Sequence, residues 1–128
     1  MLADSKAFSG FSVDDLDKAQ VFYGETLGLA VDRADEMHML RVRFAGDRHV
    51  IVYAKPDHQP ATFTVLNFPV PDIDAAVDAL AARGVVFERY EGFGQDEKGV
   101  MRSGGPLIAW FKDPAGNILS VVEEGDEG

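Results

Sequence analysis

Cysteine is absent from the chain. Disulfides, Cys-ligated zinc or iron–sulfur centres and thiol catalysis are therefore excluded, and redox chemistry says nothing about compartment. Basic residues are scarce: 12 Lys and Arg stand against 22 Asp and Glu, a formal net charge of −10. Nucleic acid is a poor partner for such a chain, because phosphate binding needs clustered Lys and Arg. A cationic ligand is compatible with it. Unbroken apolar runs are no longer than Leu107 to Phe111, far short of a bilayer span. The opening MLADSKAFSG lacks the basic stretch and apolar run of a secretory signal. These absences predict a cytoplasmic protein with no membrane partner. What is present is an ordinary globular balance, 46% hydrophobic and 27% charged over 128 residues. It predicts a single domain, 1–128, with a sizeable core.

The chain repeats itself. Phe11, Val13, Asp15, Asp17 and Ala19 recur at the same spacing as Phe68, Val70, Asp72, Asp74 and Ala76, with Leu16 opposite Ile73. After these segments Gly28 matches Gly84 and Val31 matches Phe87. The repeat modules are predicted at 5–55 and 61–123.

Each copy reads as strand, helix and three strands. Residues 6–13 are expected to be extended, with Phe11 and Val13 on one face. Asp14 or Asp15 can cap the helix that follows, and Gly28 ends it. In the second copy Ile73, Ala76, Val77, Leu80 and Ala81 form one apolar stripe. Pro71 and Asp72 start that helix and Gly84 stops it. Further strands are expected at about 30–33, 38–44 and 49–53, then 86–90, 106–112 and 118–122. Gly46-Asp47 and Ala115-Gly116-Asn117 are turn sequences. Residues 55–60 (KPDHQP) read as a Pro-bounded linker. The glycine-rich stretch 91–105 reads as a mobile loop. The acidic tail from Glu123 reads as a solvated end.

Three segments carry a resemblance. They are VDDLDKAQVFYGETLGL at Val13–Leu29, VPDIDAAVDALAARGV at Val70–Val85, and FKDPAGNILSV at Phe111–Val121. With two βαβββ copies, they resemble the vicinal oxygen chelate superfamily: glyoxalase I, extradiol dioxygenases, and fosfomycin- and bleomycin-resistance proteins. The resemblance implies an α+β fold of two βαβββ modules forming a curved sheet groove. It also implies a homodimer in which both subunits supply groove walls.

In metal-dependent members of that family, four strand residues hold one divalent ion, and His, Glu or Gln fill those positions. The resemblance puts them here at Phe8, Ile51, Val65 and Ser120. None is an imidazole or carboxylate, and a hard or borderline cation needs oxygen or nitrogen lone pairs. No metal and no cofactor is therefore expected. Elsewhere, Asp35-Glu36-Met37-His38 reads as a solvated turn and His58 as an exposed linker residue. His49 shares strand parity with Ile51 and Tyr53.

Parity sorts the remaining candidates. Leu40, Val42 and Phe44 are expected under a helix, leaving Met39, Arg41 and Arg43 for the groove. The same reasoning assigns Phe8, Gly10 and Ser12 to it, then His49, Ile51 and Tyr53, then Phe63, Val65 and Asn67, then Ser120 and Val122. Trp110 lies beside Phe111 and is either a core aromatic or a stacking wall for a planar ligand. Tyr90, Phe93, Asp96, Glu97 and Arg102 sit on the glycine-rich loop and can close over a ligand. Acidic Asp96 and Glu97 suit a cationic aromatic molecule, whereas Arg41 and Arg43 suit a carboxylate or phosphate.

The ligand-binding set is thus Phe8, Arg41, His49, Ile51, Tyr53, Phe63, Val65, Asn67, Tyr90, Arg102, Trp110 and Ser120. Catalytic residues are not identified: Ser103-Gly-Gly lacks the setting of a nucleophile elbow. The expected function is metal-independent binding of a small molecule, antibiotics included, similar to the bleomycin-resistance branch. The competing expectation is a lyase, isomerase or dioxygenase-like enzyme with a divergent site, using His49, Tyr53 or Glu88 as acid or base.

Overall fold

Both repeats open their helices in the same way. Asp15, in extended backbone, accepts the Lys18 N–H on its carboxylate at 3.0 Å and starts α1, Leu16–Val21. Asp72 accepts the Ala75 N–H at 3.1 Å and starts α2, Ile73–Ala82. Each carboxylate satisfies an N–H group that the first helical turn leaves without a backbone partner. Asp15, not Asp14, is the first cap. The α1 coil continues as a wider turn through Phe22–Thr26, closed by a bond from the Leu27 N–H to the Phe22 carbonyl at 2.9 Å. Gly28 then takes φ 73°, a left-handed conformation that glycine adopts without a Cβ clash.

The computed structural model describes residues 1–124, which fall into two compact units, Met1–Gln59 and a second beginning at Pro60. The first unit holds a four-stranded sheet of β1 (Ser9–Val13), β2 (Ala30–Ala34), β3 (Met39–Phe44) and β4 (Arg48–Ala54), in the order β1-β4-β3-β2. β1 runs parallel to β4 and the other pairings are antiparallel. Alternation sends Phe11, Val13, Leu40, Val42, Val50 and Val52 to one buried face, beneath Leu16, Ala19 and Tyr23. Burying such a side chain stabilises the fold by about 1.5–3 kcal/mol. Arg33 at the end of β2 reaches back to α1, bonding Asp17 (2.7 Å) and Gln20 (2.8 Å), and also bonds Asp35 (2.6 Å).

The second unit holds β5 (Thr64–Val70), β6 (Ile108–Lys112) and β7 (Ile118–Glu123), in the order β5-β7-β6. Leu119, Val121, Ala109 and Phe111 share its buried face with Ile73 and Val77 of α2. The turn before β7 is organised by one side chain. Asp113 accepts the N–H groups of Ala115 and Asn117, each at 2.9 Å, and the Asn117 side-chain amide at 3.0 Å. Both residues are almost wholly buried. This explains why the turn sequence has Asp and Asn four residues apart.

Four expectations change. The first strand begins at Ser9 rather than residue 6, so Phe8 lies outside it. Residues 86–90 do not form a strand. Only Phe87 bridges to Phe111, and Glu88 N–H bonds the Trp110 carbonyl at 2.8 Å. Beyond that point Gln95 replaces a neighbouring strand: its amide oxygen accepts from Tyr90 N–H (2.6 Å), and its nitrogen donates to the carbonyls of Glu88 (2.8 Å) and Gly99 (2.7 Å). The stretch 91–105 is likewise tied in its middle. The Asp96 carboxylate accepts from Lys98 and Val100 N–H, each at 2.9 Å, and Val100 is fully buried. Finally, Glu123 ends β7 and accepts the Ile73 N–H at 3.1 Å instead of starting a solvated tail. The rest of that tail, 125–128, lies outside the described residues. No helix among them is long and apolar enough to cross a membrane.

Candidate functional site

A helix covers one face of each sheet and leaves the other face to the remaining candidates. In the second unit that face carries Trp110. Trp110 pairs with Ser120 while Phe111 pairs with Leu119, so the two aromatics point to opposite sides. Phe111 joins the core beneath α2, 5.7 Å from Phe87 between ring centres. Trp110 meets Tyr90 at 5.5 Å and Phe93 at 5.3 Å, both edge-on, the geometry favoured by ring quadrupoles. These two rings, brought by the glycine-rich segment, reduce Trp110 to 9% exposure. Phe93 itself remains 42% exposed, between Gly92 and Gly94, both at positive φ.

Two polar groups stand out here. Ser120, fully buried, donates its hydroxyl to the Asn67 side-chain oxygen at 2.6 Å. The Tyr90 hydroxyl is buried and has no hydrogen-bond partner among the described residues. Burial, with a smaller contribution from the Glu88 charge, raises its pKa above the usual 10.

In the first unit, register aligns three rows across the face away from α1. Ser12, Tyr53 and Met39 form one row, and Gly10, Ile51, Arg41 and Asp32 the next. His49 and Arg43 pair in the third, where the Phe8 ring lies 4.9 Å from the His49 ring. Gly10 fits closely here: a Cβ would sit 3.2 Å from the Ile51 carbonyl oxygen, a tight contact, and 3.8 Å from the Tyr53 ring. His58 is not the exposed linker residue expected. It is half-buried, and its Nδ1 lies 2.6 Å from the Ser12 hydroxyl oxygen.

The sequence-derived set therefore divides. Phe8, Arg41, His49, Ile51 and Tyr53 share the first unit's open face. Asn67, Tyr90, Trp110 and Ser120 gather in the second. Phe63 lies before β5 and is 67% exposed. At Val65 a bulge breaks the alternation, so Thr64 rather than Val65 pairs with Ile118. Arg102 is drawn to α2, bonding Asp74 at 2.6 Å and Asp96 at 2.7 Å. Phe93, named on the glycine-rich loop but left out of that set, joins Tyr90 against Trp110. His58 is the residue that the sequence reading passed over, and nothing in the linker sequence marks it.

The charged candidates also resolve. Burial favours a raised Asp96 pKa, but Arg102 and the N–H groups of Val100 and Lys98 outweigh it and hold the carboxyl below its ordinary range. That carboxylate is engaged within the loop. Phe8, Ile51 and Val65 offer hydrocarbon to a metal, and Ser120 offers a single neutral hydroxyl. Those residues do not fit the metal that the family resemblance implies. Among the described residues no three His, Asp or Glu side chains gather to hold an ion elsewhere.

A profile of the Glyoxalase/Bleomycin resistance protein/Dioxygenase superfamily matches residues 8–121. The chain belongs to that superfamily. Solved structures of the superfamily type align over nearly its whole length. TnmS3, an antibiotic binding protein from Streptomyces sp. CB03234, is 26% identical with a TM-score of 0.70, covering 95% of this chain and 98% of its own. A superfamily member from Sphaerobacter thermophilus DSM 20745 is 26% identical with a TM-score of 0.69, covering 95% and 99%. The fosfomycin resistance protein FosX from Listeria monocytogenes is 15% identical with a TM-score of 0.70, covering 97% and 96%, a likeness of fold. No curated protein matches the chain. The α+β fold expected from the sequence is the fold found.

Proposed function

We propose that this superfamily member binds a small planar molecule without a metal, in the manner of a drug-sequestering protein. The observation that carries the reading is Trp110. It lies on the sheet face opposite Phe111 and α2, walled by Tyr90 and Phe93, on a strand next to the Ser120–Asn67 pair. Aromatic walls with a few polar groups are the usual make-up of a small-molecule site. The likeness to an antibiotic binding protein supports the same class of ligand. The proposal extends to a cytoplasmic homodimer, in which a second copy covers apolar surface such as Phe8 and Phe63, 62% and 67% exposed.

The test is a fluorescence screen in the presence of a chelator, following Trp110, the single tryptophan. Bleomycin and planar aromatic antibiotics are the probes. Saturable quenching supports the reading, and a response that appears only after a divalent metal is restored contradicts it.

A second reading, an enzyme with a divergent site, draws on the Ser12–His58 contact beside Tyr53. Its acid–base candidates are His49 and Tyr53. Glu88 is a weaker one, with Lys112 at 3.5 Å.

A further inference from the structure

Carboxylates outnumber cations in this chain almost two to one, and three of its seven arginines are engaged by them. Arg33 holds Asp17 and Asp35, Arg43 holds Asp32, and Arg102 holds Asp74 and Asp96. Arg41 differs. Its directly opposite neighbour on β2 is Asp32, the natural cross-strand partner for a guanidinium. Yet Asp32 turns diagonally and bonds Arg43 at 3.0 Å. On its other side Arg41 faces Ile51, a hydrocarbon. Among the described residues it has no ion-pair partner, and it stands on the face that no helix of its own unit covers.

We propose that this face of the first unit binds a small organic carboxylate. Arg41 takes the carboxylate through two parallel N–H···O bonds, the geometry in which a guanidinium matches that group best. Met39, Ile51 and Tyr53, side by side on β3 and β4, cover the hydrocarbon body of the ligand. Met39 and Ile51 are half-buried, so their outward surface is a floor at the level of the guanidinium. A cation finds no equivalent here, because the one carboxylate in these rows is already paired. The proposal rests on the first unit alone and does not depend on the reading of Trp110.

Calorimetric titration of the full chain with 2-naphthoate and with uncharged 2-naphthamide tests it. Naphthoate binds and naphthamide binds at least about tenfold more weakly, since only the former offers a bidentate anion. Arg41→Gln removes the preference for naphthoate. Asp32→Asn releases Arg43 and tightens naphthoate, a gain that a merely structural Arg41 would not produce. Equal binding of the two probes, unchanged naphthoate affinity in Arg41→Gln, or no naphthoate binding up to its solubility limit each overturn the proposal. Naphthoate bound equally by wild type and Arg41→Gln places the contact elsewhere on the chain and leaves the Trp110 reading untouched.

Discussion

Ser120 donates its hydroxyl hydrogen to Asn67 across 2.6 Å, between two parallel strands. In metal-dependent members of the superfamily this strand position carries an ion ligand. Here the hydroxyl closes a neutral hydrogen bond instead. Ser120→Ala is expected to cost about 1 kcal/mol, the net value of one such bond, because exposed Asn67 can turn to water. Manganese, cobalt, nickel or zinc should leave the melting temperature of wild type and variant unmoved, since an ion held by the native state must raise it.

The Asp113 turn should prove far more sensitive. Its buried carboxylate satisfies two backbone N–H groups and the Asn117 amide. Asp113→Ala removes the acceptor of all three bonds, and a buried hydrogen bond to a charged group is worth about 1.5–3 kcal/mol. Urea unfolding is expected to show a loss of at least about 2 kcal/mol, an amount reserved for substitutions that break buried networks.

Tyr90 gives a prediction at alkaline pH. Its pKa is raised in the folded chain by burial and by Glu88. Above the unfolded value near 10, the unfolded chain loses the phenolic proton first. Stability is therefore complete below about pH 10 and falls as pH rises through the folded pKa. Tyr90→Phe should flatten that fall. At neutral pH it should not destabilise the chain, because the hydroxyl it removes has no partner. Denaturant midpoints at pH 7 and above pH 10 check both statements.

Asp96 gives the opposite sign. Its folded pKa lies below the ordinary carboxyl value, so its stabilising bonds persist above about pH 4 and fail as pH falls through the folded pKa. Asp96→Asn mimics that loss at neutral pH. Trypsin should then cut at Lys98 and Arg102 faster than in wild type, while the remainder of the chain resists as before.

Much of this architecture was readable from residues alone. Aspartate caps, the glycines after both helices and the alternation of β3 and β4 each follow from one local rule, and each rule held. Two of the misreadings share a physical origin in side chains that satisfy backbone from a distance. Gln95 replaces a strand beside Glu88 and Tyr90, so an apparently extended segment pairs at only one residue. Asp96 closes a turn where glycines suggested slack. The bulge at Val65 slips parity by one residue, and period-two reasoning cannot see a slip. For the candidate site, parity placed Arg41 and Tyr53 on the sheet face away from α1, and the strand register agrees. It left Trp110 open, because adjacent Trp110 and Phe111 are both aromatic and only the pairing with Ser120 and Leu119 tells them apart. The Arg102 bonds to Asp74 and Asp96 were not legible, because both partners are distant in sequence or lie on another element.

The most direct test of metal-independent binding on the Trp110 face is calorimetric titration, with chelator present, of wild type and Trp110→Leu. The ligand is whichever planar antibiotic quenches Trp110 most strongly. Wild type should bind it fully without metal. Trp110→Leu should lose about tenfold in affinity, the scale of one lost stacking contact. Binding that requires a divalent ion, or equal affinity in wild type and variant, would contradict the proposal.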